Sequence, residues 1–329
     1  MAHAGDLAGD AEYDRHVTLP TRLIGDATVS AVGLGCMPMS FEDMLDHRER
    51  ALQTIHRALD LGVTLLDTAN IYAPTWDTVG HNEVLVAEAL RTYTGPADLA
   101  QVLVTTKGGL TRGPGESWGR DSSRGGLRAA CEASMAALGV DVIDLYQHHR
   151  HDPVFTYLDQ MRALGELQEA GLVRRVGLSN ATLPELEIAL DVLGGPGDGG
   201  VVSVQNEWSP RYRGDADVLV RCTELGIAFL PWSPLGGSTQ ARDVGSHYAE
   251  FARVADEVGA SAQEVVLAWL LAASPVMIPI PGATRPQTVD SIVAALKVSL
   301  SADQLARLDA TQPEMESMYP DDLPRSPLT

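Results

Sequence analysis

One pattern narrows the fold of this chain more than any other: eight short β-rich runs alternate with helical stretches along 329 residues. The runs are Val32–Cys36, Val63–Asp67, Val102–Lys107, Ile143–His149, Val173–Leu178, Val201–Gln205, Ile227–Trp232 and Val276–Ile280. The first helical stretch, Arg48–Leu61, places Leu52, Ile55 and Leu59 on one face. His81–Tyr93, Ser123–Leu138, Leu158–Ala170, Pro184–Leu193, Ala216–Leu225, Ala262–Ala273 and Pro286–Leu296 follow. Pro184 and Pro286 stand near helix starts, where the missing N–H costs nothing. Gly62, Gly95, Gly139, Gly171, Gly194 and Gly226 follow helices as expected left-handed caps. Such alternation demands parallel strands joined by right-handed crossovers. Eight units close a barrel, so the expected class is α/β, a (β/α)8 TIM barrel. An open, doubly wound sheet is the competing architecture.

Outside the alternation, Thr21–Ile24 and Ala27–Val32 read as a β-hairpin around Gly25-Asp26, placed to plug the N-terminal end of the barrel. Asp303–Leu308 adds a helix, and Thr311–Thr329 is a Pro-rich tail. Residues 1–16 lack the basic start and apolar run of a signal peptide and read as a flexible tail. Residues 17–329 read as one domain. The longest apolar run, Val265–Ile280, is broken by Pro275 and Pro279, so it reads as a buried helix followed by a strand and not as a membrane span.

With 44 acidic and 24 basic residues the chain carries a net charge of −20. Nucleic acid and anionic membranes are thereby disfavoured as partners. An anionic cofactor would need a local positive field. Cys36, Cys131 and Cys222 are scattered and odd in number, which fits a reduced, cytoplasmic protein. Self-association is left open.

In a barrel of this type, chemistry sits where strands end and βα loops begin. The polar residues there are Asp67 with Tyr72 in the following loop, Lys107, His148 and His149, Ser179-Asn180, Gln205-Asn206, and Trp232-Ser233. A phenol titrates near pH 10, too high for easy proton exchange at neutral pH. A neighbouring ammonium favours the phenolate and lowers that value. A carboxylate paired with the lysine keeps it charged, and a histidine can hydrogen-bond a carbonyl and share the proton relay. Such a set protonates an oxygen while another group supplies hydride.

These blocks resemble the aldo-keto reductase superfamily. They are Asp67-Thr68-Ala69-Asn70-Ile71-Tyr72 with Gly80-His81-Asn82-Glu83, then Thr106-Lys107-Gly108-Gly109, Gly139 through Arg150, Gly177-Leu178-Ser179-Asn180, and Pro231-Trp232-Ser233-Pro234-Leu235. The likeness runs from about Val32 to Leu308, in the family's order. It implies a catalytic tetrad of Asp67, Tyr72, Lys107 and His149, with His148 packed toward the helices. It also implies NADPH bound over the C-terminal rim, with NADH as the alternative, and reduction of an aldehyde or ketone to the alcohol. In this resemblance Ser179, Asn180 and Gln205 hold the nicotinamide carboxamide and Trp208 stacks on its ring. Ser233, Leu235, Gly237 and Ser238 follow the pyrophosphate. Gly282, Ala283, Thr284 and Arg285 meet the adenosine 2′-phosphate. The chain departs from the family at Thr288 and Ser291-Ile292, which lack the usual adenine- and phosphate-gripping side chains.

Other patterns carry less. The cluster His148, His149, Arg150, His151 has no partner ligands at zinc spacing, so no metal is expected. Gly195-Pro196-Gly197-Asp198-Gly199-Gly200 formally fits a dinucleotide fingerprint, but it follows a helix and precedes a strand, the reverse of that motif. Met37, Phe41, Trp76 and Trp118 fall in rim loops as candidate substrate-pocket residues, and Met315, Met318 and Tyr319 can reach them from the tail. Trp118 follows Gly113-Pro114-Gly115, which favours a mobile loop. Two further functions compete: a cofactor-binding regulatory module of a membrane channel, and a glycosidase using Asp67 and Glu207.

Overall fold

The β-rich runs curl into a parallel sheet in the computed structural model, which describes residues 19–237, 240–314, 316–321 and 323–329. Residues 1–16, Ser238 and Met315 lie outside that set. The strands are β1 (Thr21–Ile24), β2 (Ala27–Ser30), β3 (Leu34–Gly35), β4 (Leu65–Asp67), β5 (Leu103–Gly108), β6 (Leu110–Gly113), β7 (Ser117–Arg120), β8 (Ile143–His148), β9 (Val173–Ser179), β10 (Val201–Gln205) and β11 (Ala228–Phe229). Seven of them run side by side in the order β11-β10-β9-β8-β5-β4-β3. The eighth run closes the ring. Phe229 N–H donates to Val276 O and Ile278 N–H to Phe229 O, both at 2.8 Å. On the far side Gly33 N–H reaches Pro279 O at 2.8 Å and Gly35 N–H reaches Pro281 O at 3.0 Å. Pro279 and Pro281 have no N–H to return. The eighth stave is therefore held by the bridges Phe229–Met277 and Gly35–Gly282, and not by a regular strand as the sequence suggested. The result is a (β/α)8 barrel.

The helices are α1 (Arg48–Asp60), α2 (His81–Thr92), α3 (Arg124–Leu138), α4 (Tyr157–Glu169), α5 (Leu183–Leu193), α6 (Ala216–Leu225), α7 (Val244–His247), α8 (Ala249–Val258), α9 (Ala262–Ala273), α10 (Pro286–Ala294) and α11 (Ala302–Asp309). Their buried faces and the outer faces of the strands form the main apolar layer. A second cluster fills the barrel itself, from Leu65, Leu103, Leu145, Val202, Leu230 and Ile278. The β1–β2 hairpin supplies Ile24 and Val29 to this inner cluster, so it closes the barrel as expected. Arg22 fastens it by donating to Pro275 O at 2.6 Å and Leu271 O at 3.1 Å.

Three features depart from the sequence reading. The Trp118 segment is not an open loop but the antiparallel β6–β7 hairpin, with Arg112 opposite Trp118. The α7–α8 pair was missed, although Phe251, Val254 and Ala255 form a buried helical stripe. Gly95 does not cap α2: the helix stops at Thr92 and Tyr93 leaves in an extended conformation. The tail is also more tightly held than its composition implies. Pro327 O and Leu328 O accept the N–H groups of Tyr157 and Leu158 at 2.7 and 3.1 Å, satisfying donors that the first turn of α4 would otherwise leave open.

Ile24 is fully buried at the tip of the plug. Ile24→Ala should destabilise the protein by about 2–5 kcal/mol, measured by urea unfolding.

Candidate active site

The second, third and fourth staves of the barrel bring four polar side chains to one point on the C-terminal rim. Lys107 at the end of β5 is completely buried, and Asp67 at the end of β4 almost so. Lys107 Nζ donates to Asp67 Oδ1 at 2.8 Å and Oδ2 at 3.0 Å, and to Thr68 O at 2.9 Å. It also approaches Tyr72 Oη at 3.4 Å and lies 5.0 Å from the centre of the Tyr72 ring. His149, just past β8, meets the Tyr72 ring edge-on at 5.9 Å. His148 points the other way, to Ser122 Oγ at 2.9 Å and the Tyr157 ring at 5.8 Å on α4. The alternation of a strand thus separates the two histidines as the sequence implied.

The electrostatics follow from burial. Desolvation alone would discharge Lys107, but Asp67 and Tyr72 together outweigh it and lift its pKa above the ordinary value. The sequence argument expected a depressed phenol at Tyr72. Burial and the Asp67 charge instead outweigh the ammonium, and the phenol titrates above its ordinary range. Tyr72 therefore stands protonated. Burial and the nearby Lys107 charge push His149 well below the usual imidazole range, so it is neutral.

The loop that carries Tyr72 is held by residues of the Gly80–Glu83 block. Tyr72 O accepts the N–H of Asn82 at 3.1 Å. The Asn82 side chain accepts from Thr68 Oγ1 at 2.7 Å and donates to Cys36 O and Ser40 Oγ, each at 2.8 Å. Glu83 accepts from Thr106 Oγ1 at 2.5 Å, one residue before Lys107. Buried polar groups at the start of α2 thus tie three staves together.

The expected nicotinamide-binding residues are close by and partly engaged with one another. Gln205 Nε2 donates to Asp67 Oδ1 at 2.8 Å. Ser179 Oγ donates to Gln205 O at 2.9 Å, and Asn180 Nδ2 to His149 O at 3.0 Å. Asn180 holds a left-handed φ of 56°, which its short polar side chain tolerates. Trp208 is placed differently from its expected role: it is buried in the main core, edge-on to Phe229 at 5.9 Å. The aromatic ring at the rim is Trp232, whose indole N–H donates to Asn180 Oδ1 at 3.1 Å. Tyr319 of the tail lies against it at 5.7 Å.

Ser233, Leu235 and Gly237 line the turn after β11, where Ser233, Gly236 and Gly237 all have positive φ. Met318 rests on Gly237, so closely that a Cβ there would come within 2.3 Å of its Cε. The tail is drawn to this rim by two polar groups. Buried Glu207 accepts from Ser317 Oγ at 2.6 Å and Met318 N–H at 2.9 Å. Arg150 donates to Tyr319 O at 2.9 Å and pairs with Asp321 at 2.8 Å. Gly282, Thr284 and exposed Arg285 lead into α10, away from the tetrad. Met37 opens a short helix after β3 and exposed Phe41 follows it, exposed Trp76 opens another short helix, and exposed Trp118 stands on β7. Among the described residues no three histidine, cysteine, aspartate or glutamate side chains gather as a metal site. No described helix is long and apolar enough to cross a membrane.

The Aldo/keto reductase family model matches residues 31–313, and the chain belongs to that family. An uncharacterized oxidoreductase of Schizosaccharomyces pombe is 34% identical over 87% of this chain and 88% of its own length. Pyridoxine 4-dehydrogenase of Escherichia coli is 30% identical over 89% of this chain and 99% of its own. The crystal structure of an aldo/keto reductase from Klebsiella pneumoniae in complex with NADP and acetate superposes with a TM-score of 0.75 at 24% identity, covering 93% of this chain and all of that one. The barrel is thus a shared fold, and the relatives are oxidoreductases.

Burial of neutral imidazoles carries a pH dependence. Desolvation, with His151 and Arg120 nearby, holds His148 down at about 3, far below an unfolded histidine. A depressed imidazole contributes stability that is complete above the unfolded value, near 6.5, and is lost as pH falls toward the folded value. Unfolding free energy should decline below about pH 6.5, by up to about 1.4 kcal/mol per pH unit for this residue. His148→Gln should flatten that slope in denaturation curves recorded from pH 7 to about pH 4.

Proposed function

We propose that the protein is an NADPH-dependent reductase of aldehydes or ketones in which Tyr72 is the proton donor. The observation that carries this reading is the buried Lys107, bonded at once to Asp67 and Thr68 O and set beside the Tyr72 hydroxyl. The fit of the cofactor rests on the rim. Gly236 and Gly237 offer consecutive backbone positions without a Cβ, and exposed Arg285 stands just ahead of the N-terminus of α10. A Cβ-free turn and an exposed guanidinium at a helix start suit an extended polyanion. Ser179, Asn180 and Gln205 would hold the carboxamide, and Trp232, in place of Trp208, would offer the stacking face. Ser233, Leu235 and Gly237 would follow the pyrophosphate, and Gly282, Thr284 and Arg285 the 2′-phosphate. When bound, the reduced nicotinamide supplies hydride to the carbonyl carbon.

The residues of the chain handle the proton and the developing charge. Neutral His149 offers an N–H to the carbonyl oxygen. As negative charge grows on that oxygen, Tyr72 Oη gives up its proton to it. The phenolate left behind is stabilised by the Lys107 ammonium, which Asp67 keeps charged and fixed. Preorganised charges of this kind need no rearrangement during the reaction. Small-molecule carbonyl compounds are the substrates of this reading, and the E. coli relative's name directs the first trial to pyridoxal.

Loss of nicotinamide absorbance, followed with NADPH and NADH against a panel of aldehydes and ketones, tests the reading. Tyr72→Phe should lower turnover by about 10²–10⁴-fold with cofactor affinity unchanged. Full turnover in that variant removes Tyr72 from its role, and tight cofactor retention without any turnover favours a regulatory module. Arg285→Gln should weaken NADPH roughly tenfold and leave NADH unaffected, measured by fluorescence titration.

A further inference from the structure

We infer that the β6–β7 hairpin is a clamp that fixes the loop carrying Tyr72, with Arg112 as its positioning residue. The inference rests on the role proposed for Tyr72. The Arg112 side chain is only 8% exposed, although it belongs to a hairpin on the surface of the rim. Its Nη1 donates to Ala73 O at 2.5 Å and reaches Ile71 O at 3.5 Å, the carbonyls of the residues on either side of Tyr72. Its Nη2 pairs with Glu116 across the hairpin turn. The other Glu116 oxygen accepts the N–H of Trp76 at 3.0 Å. One ion pair therefore holds the same loop at positions 71, 73 and 76.

Two details separate this arrangement from an ordinary surface ion pair, which would do little. Glu116 adopts a φ of 59°, a conformation unfavourable for a residue with a side chain. The turn nevertheless keeps a glutamate there, with its carboxylate at the Trp76 N–H. In addition, the Trp118 ring covers the guanidinium at 5.1 Å, shielding it from solvent. Trp118 thus has work in the fold as well as any contact with substrate.

The need for a clamp follows from the distances at the tetrad. Lys107 is bonded to Asp67 at 2.8 Å but stands 3.4 Å from Tyr72 Oη. That long contact cannot hold the phenol in place, and it is the first to open if the loop shifts. Asn82 holds Tyr72 from the side of α2, and Arg112 holds it from the opposite side. The charged and titratable groups acting on the phenol are Lys107, Asp67, His149 and Tyr319, whereas Arg112 bonds only to backbone in this loop. Arg112→Lys, which keeps the positive charge, separates a shift caused by movement of the loop from one caused by loss of the charge itself.

The test combines hydrogen exchange over residues 70–78 with kinetics of Arg112→Met, Arg112→Lys and Glu116→Gln. Arg112→Met should speed exchange in that loop and not in the barrel strands. Its kcat should fall about 10- to 100-fold, as a displacement near 1 Å would produce, with cofactor affinity unchanged. The ascending limb of alcohol oxidation, where the phenol must lose its proton, should move to higher pH as the phenol loses Lys107. Lysine keeps the charge but lacks the planar fork of donors that spans the two carbonyls and the carboxylate, so Arg112→Lys should fall between wild type and Arg112→Met. If Arg112→Met does not fold, Glu116→Gln decides, with faster exchange at Trp76 expected. Wild-type exchange over 70–78 overturns the inference, as does faster exchange with unaltered kcat and pH profile. If the wild-type protein reduces no carbonyl at all, the functional reading fails by itself, and exchange alone still decides whether Arg112 fixes the loop.

Discussion

The buried ion pair of Lys107 and Asp67 is the interaction on which the rest of the rim depends. An ammonium removed from water costs several kcal/mol unless its partners are close and well oriented. Here a carboxylate and a backbone carbonyl are spent on it, and Gln205 occupies the same carboxylate from across the barrel. Such an investment is poor value for stability alone, because apolar residues of similar size would fill the site at least as well. It makes sense as a fixed positive charge beside a phenol. The charge does not ionise Tyr72 in the resting protein; burial prevents that. On the proposed reading, its influence would be felt once the proton has left.

Around that pair, successive layers of polar contacts restrict movement. Asn82 and Glu83 bind the second and third staves to the start of α2. The β6–β7 hairpin grips the Tyr72 loop from outside. The tail crosses the opposite side of the mouth, with Met318 on Gly237 and Tyr319 on Trp232. A dinucleotide lying along that turn must share the space with Met318 or displace it. On the proposed reading, the tail would be coupled sterically to cofactor binding at the rim.

Much of this was legible in the sequence because it is written in local patterns. Seven of the eight staves, the plug hairpin and most helices follow from periodicity and turn residues. Strand-end positions offered the candidate polar residues, the family resemblance picked Asp67, Tyr72, Lys107 and His149 from them, and alternation along β8 turned His148 toward the helices. What escaped was set by packing at a distance. Trp208 and Trp232 are both aromatic residues near strand ends, and only the tertiary structure shows that one enters the core and the other faces the rim. The direction of the Tyr72 shift required knowing how deeply it is buried. The β6–β7 hairpin left a faint signal in Gly113-Pro114-Gly115, but its purpose depends on Arg112 meeting carbonyls some forty residues earlier. The eighth stave looked like a strand because its apolar residues are real; its prolines limited the ladder.

Those prolines give the barrel a seam. Between β11 and β3 the wall is stitched largely by acceptors, since Pro279 and Pro281 can return no bond. Asp67, Lys107 and His149 sit at the ends of β4, β5 and β8, and only β3 separates β4 from the seam. Breathing of the wall should therefore concentrate at the seam, which runs directly into Gly282 and the approach to α10. Yielding at that edge would be felt next at the buried carboxylate, because Gly35 is bridged to Gly282 on one side and paired with Asp67 on the other.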